Sequence, residues 1–91
     1  MRINAMRIQE STDDLAQLLI RKNADYGDSF ERQFNEYGLT SVCIRLEDKL
    51  NRLKNLVKNP AAVDETLKDT LDDLAGYAVL GSVLVEGDGN G

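Results

Sequence analysis

The sequence predicts an all-α fold: a small antiparallel helical bundle with three substantial helices and one short one. Three observations predict it. Apolar residues recur at three- and four-residue spacing along most of the chain. Capping residues, glycines and one proline punctuate those stretches. No stretch alternates apolar and polar residues long enough to make a useful strand.

Taken in order, residues 1–9 read as a weakly ordered lead-in. Ser11 or Thr12 is the candidate N-cap of a first helix over about 11–24, and Asp13 and Asp14 suit the positive end of its dipole. Leu15, Leu18, Leu19 and Lys22 follow helical spacing, and Gly27 suits the left-handed residue that closes such a helix. Asp28 or Ser29 then caps a short helix over 30–37. Phe30, Phe34 and Tyr37 share one face of it, either as a packing face or as the wall of a base-stacking pocket, and Gly38 ends it.

Thr40 or Ser41 is the candidate cap of a third helix, about 41–58. Its expected seam is Leu39, Cys43, Leu46, Leu50, Leu53 and Val57. Asn59-Pro60 is a strong stop, because the ring of proline disfavours helical backbone before it. The last helix, 64–85, is the element around which the others are arranged. Its expected seam is Leu67, Leu71, Leu74, Ala78, Gly81 and Val85. Both long helices keep the same four-three rhythm, so they should pack as an antiparallel pair. Residues 1–86 read as a single domain and 87–91 as a disordered glycine-rich tail.

Composition narrows the function. At 91 residues, folding buries only about 60–65% of the unfolded chain's surface. The apolar second half of the last helix is too greasy for one thin core to cover. A homo-oligomer, dimer or tetramer, is therefore expected. The formal net charge of −5 argues against a general nucleic-acid or membrane-surface binder. The absence of histidine removes His-based relays and the usual zinc sites. Any metal would be held by carboxylate oxygen, which suits Mg2+ or Mn2+. The lone Cys43 lies on the expected seam and reads as buried packing. No apolar run approaches membrane-spanning length and no signal peptide is seen, so a cytoplasmic location is the expectation.

Three constellations could carry chemistry. Asp69 and Asp73 lie a turn apart on one face of the last helix, and Glu47 and Asp48 sit mid-way along the third. In an antiparallel pair these carboxylates could be level and bind magnesium; the plainer reading is that they stay solvated and complement the helix dipole. Arg45, Lys49 and Arg52 form a basic stripe suited to phosphate, or equally a solvated face laced by Asp48. Lys22, Asn23, Asp25 and Tyr26 crowd one helix end, where capping alone does not ask for all four residue types.

Together these stretches resemble a known family. Residues 22–30 (K-N-x-D-Y-G-x-S-F), 44–56 (I-R-L-x-D-K-L-x-R-L-x-N-L) and 69–78 (D-T-L-x-D-L-A-x-Y-A) are similar in order and spacing to the nucleotide modification associated domain 1 family of phages and bacteria. That family looks like a branch of the all-α, MazG-like NTP pyrophosphatases. The resemblance implies a four-helix core, oligomerisation, and magnesium-dependent cleavage of a nucleoside triphosphate into monophosphate and pyrophosphate. It implies metal binding by Asp69 and Asp73 with Glu47, and a catalytic role for Glu47 or Asp48. It implies phosphate contacts from Lys22, Arg45, Lys49 and Arg52, and nucleoside contacts from Asn23, Asp25 and Tyr26. The superfamily's Glu-x-x-Glu and Glu-x-x-Asp pairs are incomplete here: Leu50 follows Glu47, Asn51 follows Asp48, and Thr70 precedes Asp73 at those spacings. The alternative is a nucleotide-binding or protein-interaction module without hydrolysis, accessory to phage DNA-base modification. The plainest alternative is a helical oligomerisation domain.

Overall fold

The computed structural model describes residues 2–26, 28–59 and 64–87, the side chains of 26 and 64–66 excepted. Among the described residues there are four helices and no strand: α1 (Ala5–Tyr26), α2 (Ser29–Tyr37), α3 (Leu39–Lys58) and α4 (Asp64–Gly87). The chain divides into two compact units, Met1–Phe30 and Glu31–Gly91.

The first unit holds α1. Its start lies upstream of the expected cap. Asn4 Oδ1 accepts the backbone N–H of Arg7 at 2.9 Å, which makes Asn4 the N-cap and draws residues 5–9 into the helix. Ser11 and Thr12 fall inside the helix, where the Thr12 hydroxyl donates to the Ile8 carbonyl at 2.9 Å. Of the expected stripe, Leu15, Leu18 and Leu19 are half-buried and Lys22 is exposed. At the C-terminal end the Asp28 N–H reaches back to the Asn23 carbonyl, and Asp28 itself has a positive φ of 60°. The proposed role of Gly27 lies outside the described residues.

In the second unit, Gly38 joins α2 to α3. Its N–H donates to the Phe34 carbonyl at 2.7 Å, closing α2. Its carbonyl accepts both the Ser41 N–H at 3.1 Å and the Ser41 hydroxyl at 2.7 Å, opening α3. Gly38 has φ 71°, a left-handed conformation that a residue with a Cβ rarely adopts. The cap of α3 is therefore Gly38, with Ser41 bonding back to it, rather than Thr40 or Ser41 standing at the cap position. At the far end, the Asn59 N–H and side chain both donate to the Asn55 carbonyl, and Asn59 leaves the helix with extended backbone. Gly87 continues α4; the rest of the expected tail, like the turn at 61–63, lies outside the described residues.

α3 and α4 pack antiparallel, as expected. The four-residue step from Arg45 to Lys49 is met by an equal step back from Tyr77 to Asp73. The expected seam holds at Leu46 and Leu53 on α3 and at Leu67, Leu74, Gly81 and Val85 on α4, but at its other positions the inward residue is one earlier. On α3 the inward positions are Val42, Leu46, Lys49, Leu53 and Leu56, so Cys43, Leu50 and Val57 are exposed. On α4, Thr70 and Tyr77 turn inward where Leu71 and Ala78 were expected. Cys43 is thus a free, exposed cysteine and not a buried packing residue. The physical reason is that the seam admits polar pairs. Lys49 and Arg45 find partners on α4, which hydropathy spacing cannot register.

At one point the two backbones come very close. A Cβ on Gly81 would stand 2.9 Å from Val42 Cγ1, so only glycine fits without a shift. Among the described residues, Phe34 and Val42 are the buried hydrophobic core, and Ser41 and Thr70 are buried polar residues. Large apolar side chains remain exposed, including Ile44, Val57, Leu71 and Val83.

Candidate nucleotide site

The inward face of α3 carries charge where a helix pair usually carries leucine. Two contacts define it. Lys49 Nζ lies 3.3 Å from Asp73 Oδ2, with both side chains only partly exposed. One turn toward the start of α3, the Arg45 guanidinium sits over the Tyr77 ring, 5.4 Å from its centroid. Arg45 Nη1 reaches the Tyr77 hydroxyl at 3.5 Å, and Arg45 Nε donates to Gln33 Oε1 of α2 at 2.8 Å. The stripe Arg45–Lys49 is therefore ordered by partners on two helices. Arg52, the third member, is exposed.

The acidic residues divide. Asp73 is half-buried and ion-paired. Asp69, one turn away on the same helix, is exposed. Asp72, between them, is taken by Lys68 at 2.7 Å. Glu47 and Asp48 are exposed. Successive helical residues are ~100° apart, so with Lys49 facing α4, Asp48 lies on the flank and Glu47 points away. The α3 side chain that reaches Asp73 is Lys49, not a carboxylate. Thr70, three residues before Asp73, is 2% exposed and belongs to the helix-packing face. Among the described residues, no three acidic or cysteine side chains are arranged to hold a metal ion.

Lys22, Asn23 and Asp25 lie exposed on the last turns of α1, in the first unit. The Asn23 amide donates to Asp28 Oδ1 at 2.7 Å, which closes that helix end. The side chain of Tyr26 lies outside the described residues.

Beside Arg45 is an open pocket of about 310 Å³, lined by Gln33, Tyr37, Ser41, Ile44 and Arg45. Of the expected aromatic face of α2, only Tyr37 lines it. Phe34 is buried in the core and Phe30 is half-buried, whereas Tyr37 is 63% exposed. Two contacts escaped the sequence reading. Tyr77 follows Asp73 at the same four-residue spacing that separates Arg45 from Lys49, a signal that pairing the two helices in register would have found. Gln33 carried no comparable signal, because its contact depends on how the chain turns at Gly38.

The model of the nucleotide modification associated domain 1 family matches residues 22–85. This chain belongs to that family. The nucleotide modification associated domain 1 match takes in the last turns of α1, all of α2 and α3, and most of α4, and so includes both seam pairs. No curated protein and no solved structure matches the chain. No helix among the described residues is long and apolar enough to cross a membrane.

Proposed function

We propose that this domain is a magnesium-dependent pyrophosphohydrolase of nucleoside triphosphates, MazG-like in its chemistry, converting a (deoxy)nucleotide and water into monophosphate and pyrophosphate. The observation that carries the reading is the charged seam: Arg45 and Lys49 one turn apart, the second beside Asp73. Cations so placed hold adjacent phosphates, with arginine offering a fork of donors and lysine a compact charge.

The carboxylates fit magnesium in one way only. Asp73 and Asp69 suit an ion that arrives on the triphosphate, since magnesium is commonly bound through one or two carboxylates and substrate phosphates. They do not suit an ion held by protein alone, given that no larger acidic group assembles among the described residues. When bound, the metal supplies charge neutralisation and a more acidic water. Lys49 turns from Asp73 to a phosphate oxygen, Arg45 holds the neighbouring phosphate, and Arg52 draws the anion toward the seam. Asp48, on the flank of α3 nearer the seam, takes the proton of the attacking water, and Glu47, turned away from α4, takes no part.

The same proposal includes a homo-oligomer. Cys43, Leu50 and Val57 are seven residues apart on one exposed face of α3, and Leu71, Ala75, Val79 and Val83 line an exposed face of α4. A second copy is the natural cover for these faces, since among the described residues the buried hydrophobic core is Val42 and Phe34, which is thin.

A second reading, nucleotide binding without hydrolysis in an accessory of nucleotide modification, is favoured by the neutralisation of Asp73 by Lys49 and by the lack of a larger acidic group among the described residues. Thermal unfolding with a nucleotide, with and without magnesium, separates the readings when paired with a turnover assay. Metal-dependent stabilisation that Asp73→Ala removes, with turnover, supports hydrolysis. The same stabilisation without turnover selects the binding module. No stabilisation by any nucleotide leaves only a helical oligomerisation domain.

A further inference from the structure

We infer that the open pocket between α2 and α3 receives the nucleobase, and that it prefers bases presenting a carbonyl oxygen; this rests on the nucleotide reading above. Tyr37 stands 63% exposed at the pocket edge, with its ring uncovered in a chain that buries Phe34 only three positions earlier on the same helix. An uncovered ring beside a cavity is a stacking platform, and every base has a face to stack. Ile44 supplies an apolar wall.

The selectivity comes from Gln33. Arginine can only donate, so its 2.8 Å contact with Arg45 Nε fixes Gln33 Oε1 toward Arg45. The amide nitrogen is then the end left for a ligand, and it donates. Thymine and uracil offer O4, and guanine O6, to such a donor at positions where cytosine and adenine carry an amino group. Arg45 also ties this pocket to the phosphate seam: it lines the pocket, contacts Tyr77, and is one turn, ~5.4 Å of helix axis, from Lys49. A base in the pocket therefore has Arg45 within reach of its phosphates, with Lys49 one turn further along α3.

Calorimetric titration of the full chain with dTTP, dGTP, dATP and inorganic tripolyphosphate tests the proposal. The expected result is that Tyr37→Ala weakens the nucleotides about tenfold, as loss of one stacked base does, and leaves tripolyphosphate within about twofold. Tyr37→Phe retains nucleotide affinity. Gln33→Glu keeps an acceptor for Arg45 but removes the donor, so it abolishes the preference for dTTP and dGTP over dATP. Equal binding of dTTP by wild type and Tyr37→Ala overturns the pocket assignment while leaving the phosphate seam standing, provided Lys49→Ala still weakens tripolyphosphate. Failure of wild type to bind either nucleotide or tripolyphosphate overturns the nucleotide reading itself, and this inference with it.

Discussion

Lys49 Nζ stands 3.3 Å from Asp73 Oδ2 across the α3–α4 seam, the point where a packing interface and a candidate phosphate site coincide. An ion pair this exposed is screened by solvent and contributes about 0.5–1 kcal/mol. A double-mutant cycle of Lys49→Met and Asp73→Asn, read by urea unfolding, should return a coupling energy of about that size. A coupling near zero would show that the pair does not hold the helices in register.

Gly81 sets how closely the same two helices approach. Alanine is intrinsically better in a helix by about 1 kcal/mol, yet its methyl would meet Val42 Cγ1 at 2.9 Å. Val42 is β-branched and buried, so it has little rotamer freedom with which to yield. Gly81→Ala should therefore destabilise by about 1–2 kcal/mol of overpacking. Adding Val42→Ala should relieve the clash and make the double mutant less unstable than the sum of the two singles. Simple additivity in denaturant unfolding would contradict the close approach.

Much of the fold can be read in the sequence. The four helices, the stop at Asn59, the closing glycine at Gly38 and the antiparallel pairing of the long helices all follow from spacing and capping chemistry. The start of α1 does not, because Asn4 outcompetes the more obvious Ser11 and Thr12 by offering a cap seven residues earlier. Part of the seam is offset by one residue for a different reason. Hydropathy assigns Leu50 and Cys43 to the interior, whereas Lys49 and Arg45 turn inward because Asp73 and Tyr77 answer them. In the candidate site, Arg45, Lys49 and Asp73 are visible as residue types. Their pairing is not, since it depends on the register between helices, and the Gln33 contact depends on the turn at Gly38.

That offset has a measurable consequence at Cys43. The thiol is exposed on the face it shares with Leu50 and Val57. In dilute protein it should react with a maleimide at nearly the rate of the unfolded chain. If that face is covered by a second copy, the rate should fall as protein concentration rises, in step with the mass measured by light scattering. A rate that stays constant while the mass doubles would place the copy contact elsewhere.

The most direct test of the account is release of pyrophosphate from a panel of dNTPs and NTPs with magnesium, comparing wild type with Asp73→Asn. Turnover by wild type that needs the metal, and that falls by at least about a hundredfold, ~2.7 kcal/mol of transition-state stabilisation, in Asp73→Asn is the predicted result. Folded, oligomeric wild-type protein that releases no pyrophosphate from any of these nucleotides, or Asp73→Asn protein that releases it as fast as wild type, would contradict the account.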